Sequence, residues 1–312
     1  IAAPEAFFSL RLAGHSVAAF DFDGRESRVF FRHLPVGEPI LLPDPTSDVR
    51  AAEDMLAGHL SSPDRPDVIL PLDDLSLWLT DRIYRREATD TLPGHISRRA
   101  CVSGNLADFA IDKRLQLDAA RKAGLALPPT WIVDGREDLI DAFREADAPI
   151  IIKPALAVQM VGGRLRKGKA HYVDGADSRG GAGKRLPPDV DISYPSLVQP
   201  LIAGRGEGIF GFAAAGHVAA WSGHERVRMM NPHGSGSSCC RGKRVAERER
   251  DLVERMMSEI GWTGAFMVEG LRSRTGELLF MEVNGRLWGS IALARRAGLE
   301  YPAWAVAQAC DT

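Results

Sequence analysis

Phe266-Met267-Val268-Glu269-Gly270, followed by Leu279-Phe280-Met281-Glu282-Val283-Asn284-Gly285-Arg286, is the part of the chain whose reading decides the fold. Two apolar segments each carry a carboxylate, and Thr275-Gly276 lies between them. Strand-like residues on both sides of a short polar loop with a glycine predict a hairpin. Side chains alternate along a strand, so Glu282, Asn284 and Arg286 share a face, and the hairpin can bring Glu269 opposite Glu282. Two carboxylates and an amide oxygen together suit a hard divalent cation such as Mg²⁺. Arg286 beside them suits phosphate, because its planar fork binds oxyanions through two parallel bonds.

An acid-x-Asn on one strand, with another acid thirteen positions earlier, resembles the metal signature of the ATP-grasp ligases. That superfamily includes D-alanine–D-alanine ligase, biotin carboxylase and the large subunit of carbamoyl phosphate synthetase. The stretch from Glu282 to Ser290 is similar to the carbamoyl phosphate synthetase-like carboxylate–amine ligase branch. The resemblance implies an α/β fold, α+β in its C-terminal part, with residues 1–104 as a Rossmann-like pre-ATP-grasp lobe. Residues 105–200 would then be the small ATP-grasp lobe and 201–312 the large lobe with the metal site. It also implies ATP with Mg²⁺ or Mn²⁺, the metal being held by Glu269, Glu282 and Asn284.

The 312 residues suffice for two or three lobes with substantial cores. A hydrophobic share of 45% and a charged share of 26% are those of an ordinary globular protein. The net charge of −2 gives no reason to expect nucleic acid or an anionic membrane as partner. No apolar run reaches the ~18–20 residues of a membrane span. Four cysteines in a chain of this length do not form a disulfide framework, so a reducing cytoplasm is the expected location.

Alternation of strand-like and helical runs over residues 1–104 predicts a parallel sheet flanked by helices. A helix ends at Gly14 and a strand follows over Val17–Asp21. A nucleotide-fold lobe ordinarily opens with a strand and a Gly-rich turn before such a helix, so the lobe is expected to lack its first strand. Val68–Leu72 reads as a strand and Asp73–Arg86 as a helix with Leu75, Leu79 and Ile83 on one stripe. Asp112 is the expected N-cap of a helix that Gly124 stops. Trp131–Val133 and Pro149–Pro154 read as strands, Pro195–Phe212 as strand, turn and strand, and 245–260 as an amphipathic helix.

Lys153 follows three isoleucines and precedes Pro154, so its ammonium leaves a buried strand at a fixed place, where a point charge can meet a phosphate. Lys113 opens the helix forty residues earlier. The resemblance implies that both lysines touch the α- and β-phosphates. It also makes Leu197–Glu207 the hinge: Gln199 supplies a carbonyl and Leu201 or Ile202 an N–H to adenine, while Glu207 takes the ribose hydroxyls. Gln199 departs from the common hinge acid, and Pro200 has no N–H to offer. Gly162-Gly163-Arg164, with Lys167 and Lys169, suits a basic loop closing over the triphosphate. Gly180–Gly183 reads as a linker.

His224, Arg226 and Arg228 alternate along a strand, and Asn231–Ser238 makes a Gly/Ser turn. By the resemblance, Arg228 and Arg286 stabilise an acyl phosphate and the species after it, with Lys153 assisting; Arg226 reads as a solvated strand residue. His217, His224, His233, Cys239 and Cys240 are close in sequence, but adjacent cysteines are a poor zinc spacing. The activity implied is ATP-dependent joining of a small-molecule carboxylate to an amine, with amino-acid or peptide-like substrates and a homodimer as the expected assembly. Two rivals are a small-molecule kinase of the same fold and a nucleotide-binding regulatory module without turnover.

Overall fold

The computed structural model describes residues 2–24, 34–35, 37–89, 96–146, 149–173, 192, 194–230 and 236–311. The first third runs α1 (Ala2–Leu12), β1 (Phe20–Phe22), β2 (Ile40–Leu42), α2 (Val49–Ser61), β3 (Val68–Ile69), α3 (Asp74–Thr89) and β4 (Arg98–Arg99). β1 pairs with β2 and β3 with β4, both in parallel, as the alternation of strands and helices requires. The expected strand over Val17–Asp21 is shifted towards Phe22, because Ile40–Leu42 offers only three positions to pair with. Leu75, Leu79 and Ile83 form the predicted stripe and are buried against α2. The Asp73 carboxylate caps α3 by accepting from the Ser76 N–H at 2.7 Å.

The middle third contains α4 (Asn105–Ile111), α5 (Lys113–Ala123), β5 (Trp131–Val133), α6 (Arg136–Glu145), β6 (Ile150–Pro154), β7 (Gln159–Val161), β8 (Arg164–Arg166), β9 (His171–Val173) and β10 (Ser196–Pro200). An antiparallel sheet of order β5-β10-β6-β9 packs Val133, Ile150, Ile152 and Val198 against Leu139 and Phe143 of α6. Gly162 and Gly163 both have positive φ and turn β7 into β8, so the basic loop expected over the phosphates is a two-stranded hairpin. Leu165 of β8 is fully buried in the core of the first third. The Gly180–Gly183 run lies outside the described residues.

The last third is built on β11 (Gly204–Ala214), β12 (His217–Met229), β13 (Ser237–Gly242), β14 (Gly264–Ser273) and β15 (Leu278–Asn284), in the antiparallel order β13-β12-β11-β14-β15. Three helices accompany it: α7 (Glu247–Ile260), α8 (Ile291–Arg296) and α9 (Tyr301–Asp311). One face of this sheet packs on α5 and α7 through Leu117, Ala120, Val253, Met256, Trp262 and Phe266. Truncating one of the two fully buried rings, Trp262 or Phe266, to alanine costs about 3–5 kcal/mol. Helix α5 therefore precedes the small sheet in sequence but packs on the large one, and this places Lys113 between them.

Candidate active site

The hairpin β14–β15 is closed by Gly276, whose positive φ suits the turn, and its register sets Glu269 directly opposite Glu282. Asn284 lies on the same face, buried, with its Nδ2 at 3.5 Å from Glu269 Oε1. The three oxygen donors expected to hold a metal are thus brought together.

Lys113 and Lys153 close the cluster from the other side. Asp112 caps α5 by accepting from the Arg114 N–H, and Lys113 begins the helix with its Nζ 3.3 Å from Glu282 Oε2. Lys153 ends β6 on the facing sheet. Burial pushes its ammonium down to about 8 even though Glu282 and Glu269 act against the shift. Burial and the neighbouring Glu282 push the Glu269 carboxyl up, with Arg226 opposing. For Glu282, burial is outweighed by Lys113, Lys153 and Arg286, which hold it well below the ordinary carboxylate range. Two facing carboxylates, one driven towards its neutral form, are an arrangement that a divalent cation would relieve, so the donor set fits such an ion.

Strand β15 is held in place by Gln116 of α5, a buried side chain that accepts from the Val283 N–H at 2.9 Å and donates to the Val283 carbonyl at 3.0 Å. One amide therefore ties the helix that begins with Lys113 to the strand that carries Glu282 and Asn284. Gln116 is a polar residue among the inward-facing positions of α5, and that break in the apolar stripe is its mark in the sequence.

The basic strand behaves differently from expectation. Arg226 is largely buried and donates from Nη2 to Glu269 Oε2 at 2.6 Å. It belongs to the cluster, whereas Arg228, two residues on, is exposed and makes no ion pair among the described residues. Gly206 makes room for Arg226, since a Cβ there would sit 2.6 Å from Arg226 Cδ. Neighbouring His224 is buried, with Nδ1 2.6 Å from Ser290 Oγ and its ring edge-on to Phe210. Burial and Arg226 keep it neutral, with its pKa pushed down to about 4. Exposed His217 instead lies beside Glu254, and among the described residues no group of histidines, cysteines and acids is arranged to hold a metal; His233 lies outside the described residues.

Arg286 donates to Asp74 at the start of α3, from Nε at 3.0 Å and Nη2 at 3.3 Å. Lys167, just beyond the β7–β8 hairpin, reaches the same carboxylate at 3.7 Å. Asp74 thus links the first third of the chain to the residues just after β15, a role that no local pattern announced.

The hinge departs from expectation at two places. The Leu201 N–H donates to the Pro149 carbonyl at 2.8 Å and is not free for a base. In the alternating ladder this turns the Gln199 backbone towards β6 as well, and leaves the Pro200 carbonyl on the opposite edge. The Ile202 N–H has no backbone acceptor among the described residues. Glu207 is paired with Glu225 and Gly270, whereas Glu269 and His224 pair with Gly208, so Glu207 points to the other side of the sheet. There it is buried beneath Lys243 and Arg272, which hold its carboxyl below the ordinary range against the opposing effect of burial. The structure does not bring it to the site.

No protein-family model and no curated protein matches the chain. Among solved structures, biotin carboxylase from Campylobacter jejuni in complex with β,γ-ATP aligns with a TM-score of 0.65 and 16% identity, over 98% of this chain and 68% of that one. L-amino acid ligase from Bacillus licheniformis aligns with a TM-score of 0.69 and 17% identity, over 98% and 71%. The biotin carboxylase domain dimer of Hydrogenobacter thermophilus 2-oxoglutarate carboxylase, in complex with MgADP, ADP and bicarbonate, gives 0.69 and 13% over 99% and 67%. At these identities the likeness is one of fold, and the fold of this chain is ATP-grasp.

Proposed function

We propose that the chain is an ATP-dependent carboxylate–amine ligase that works through an acyl phosphate. The observation that carries this reading is the convergence of Glu269, Glu282 and Asn284 with Lys113 and Lys153 between the two sheets. Glu269, Glu282 and Asn284 would hold Mg²⁺ or Mn²⁺, which neutralises phosphate charge when bound. Lys113 and Lys153 attract and orient the α- and β-phosphates. The Pro200 carbonyl and the Ile202 N–H serve adenine, a shift of one residue from the carbonyl first expected at Gln199.

The γ-phosphoryl group passes to a carboxylate oxygen of the acid, giving ADP and an acyl phosphate. An amine nitrogen then attacks the carbonyl carbon, the C–O bond to phosphate breaks, and the amine loses a proton. Arg226 and Arg286 face the developing negative charge, and the work of the protein is positioning and charge stabilisation. The nucleotide complexes of the Campylobacter and Hydrogenobacter proteins support the nucleotide assignment, and the Bacillus ligase supports amino-acid or peptide-like substrates. A homodimer belongs to the same reading, since the Hydrogenobacter domain is described as a dimer. A cytoplasmic location is supported by four free thiols, and no helix among the described residues is long and apolar enough to cross a membrane.

The test is ADP release measured against single carboxylic acids and then acid–amine pairs with Mg²⁺. Release that needs both partners and yields an amide supports the ligase. A stable phosphorylated product without amine would replace it with a kinase, and nucleotide binding without release would replace it with a regulatory module.

A further inference from the structure

The cations around the facing acids are held in different ways. Lys113 lies on Glu282 at 3.3 Å and Arg226 on Glu269 at 2.6 Å, each against an expected metal ligand. Glu282 and Glu269 favour the charge of Arg286 as well, yet among the described residues the side-chain bonds of Arg286 go elsewhere. Its Nε and Nη2 donate to the two oxygens of Asp74 at 3.0 and 3.3 Å, and its Nη1 donates to the Leu287 carbonyl at 3.2 Å.

Asp74 is built for such a hold. It opens α3, where Asp73 and Ser76 exchange bonds between side chain and backbone N–H, and where Leu75, Leu79 and Ile83 anchor the helix in the core. The side chains of Asp74 and Arg286 are 13% and 20% exposed, so solvent screens their bond little. Lys167 approaches the same carboxylate at 3.7 Å, but it is mostly in water, where such a contact is weak. A carboxylate that takes Nε and Nη2 together fixes the rotation of the guanidinium plane as well as its place. Each terminal nitrogen then keeps one further N–H, and these are the donors left for an oxyanion. Without Asp74, the same guanidinium would have two acids to turn to, and a metal ion would have to displace it from them. Affinity falls by the fraction of molecules in which the acids are so occupied.

We propose that Asp74 is a positioning residue: it holds Arg286 off Glu282 and Glu269, which leaves those acids open to a divalent cation and keeps the remaining N–H bonds of Arg286 for a substrate oxyanion. This rests on the ligase reading and gives Asp74 no contact with metal or substrate. The first third of the chain thereby shapes the metal site without supplying a ligand to it.

The experiment is titration of the full chain with Mn²⁺, free Mn²⁺ being read from its paramagnetic resonance signal, in the wild type, Asp74→Ala, Asp74→Glu, Arg286→Gln and the double variant D74A/R286Q. In Asp74→Ala, Arg286 turns to the acids, and the apparent dissociation constant should rise about fivefold or more. Asp74→Glu keeps the charge and should restore part of the affinity. Arg286→Gln should bind Mn²⁺ at least as tightly as the wild type. With Arg286 gone, adding Asp74→Ala should weaken binding by about twofold or less, because the two residues act through one contact. Loss of packing or of negative charge at position 74 would instead act equally in both backgrounds. Equal weakening in both backgrounds would therefore overturn the assignment, as would wild-type affinity in Asp74→Ala. Asp74→Asn, similar in size and without the charge, takes its place in the same comparison if Asp74→Ala fails to fold. Wild-type chain that binds no Mn²⁺ would remove the metal from the ligase reading and the role of Asp74 with it, whereas binding indifferent to Asp74 would overturn the role of Asp74 alone.

Discussion

Glu269 and Glu282 are direct cross-strand partners on β14 and β15, with Arg226 on the first carboxylate and Lys113 on the second. Each acid is restrained by a cation of its own, yet they remain close enough that Glu282 helps drive the Glu269 carboxyl upward. Mg²⁺ should therefore raise the melting temperature of the chain, with ATP adding to the effect, as expected for ligands that bind only the folded state. Glu282→Gln should abolish the metal-dependent shift and lower turnover about 100-fold or more. It should also leave Lys113 and Lys153 facing each other without their counter-charge, costing about 1–2 kcal/mol while unfolding stays cooperative. Thermal unfolding with and without Mg²⁺ checks both parts, and an unchanged metal response in the variant would remove Glu282 from the site.

Arg226→Ala and Arg228→Ala should separate sharply. Arg226 is largely buried on Glu269, so its loss strands a carboxylate already pushed towards protonation, and turnover should fall about 100-fold. Arg228 is exposed and unpaired among the described residues, and its loss should change turnover by about twofold or less. Initial rates at saturating ATP distinguish the two; equal losses would mean that the Arg226–Glu269 pair does not contribute to catalysis.

The hairpin, the facing acids and the ordered lysines were legible because each rests on a local pattern: strand alternation, a Gly turn, or a lysine ending an isoleucine run. What failed was register. Glu207 and Gly208 differ by one position, and a one-residue step in a strand exchanges the two faces of a sheet. Leu201 reads as an adenine donor in the sequence, but its N–H is bonded to the Pro149 carbonyl across the ladder. Arg226 and Arg228 share a face, so only the cross-strand register could say which of them meets Glu269. Asp74 lies 212 residues from Arg286, a separation no local period reports.

Lys153 gives a pH dependence with a definite sign. Its ammonium titrates near 8 instead of 10.5, so between those values it is neutral in the folded chain and charged in the unfolded one. The unfolded state then binds more protons, and this lysine makes stability rise with pH across that interval. Nucleotide affinity should move the other way, falling as pH climbs through about 8 and the charge facing the phosphates is lost. Titration of an ATP analogue from pH 7 to pH 9.5 should show the fall in the wild type. In Lys153→Gln affinity should be weaker throughout and the step near 8 absent; a step that persists would assign it to another group.

Gln116 is the position where fold and site can be separated by one side chain. Its amide reaches the carbonyls of Phe109, Ala110 and Val283 and accepts from the Val283 N–H, all in the buried seam between α4, α5 and β15. Gln116→Leu keeps similar volume but leaves those backbone groups without the partner they have, at a cost of about 2–4 kcal/mol. Gln116→Glu keeps an acceptor for the Val283 N–H but replaces the donor with a carboxyl facing three carbonyls, and should be no better tolerated at neutral pH. Because Val283 lies between Glu282 and Asn284, loosening it should also weaken the metal site. Hydrogen exchange at the Val283 amide should speed up in Gln116→Leu, and the Mg²⁺-dependent stabilisation should shrink even where the variant remains folded. A variant that loses stability but keeps the full metal response would restrict Gln116 to packing, with the geometry of Glu282 and Asn284 set by the β14 pairing alone.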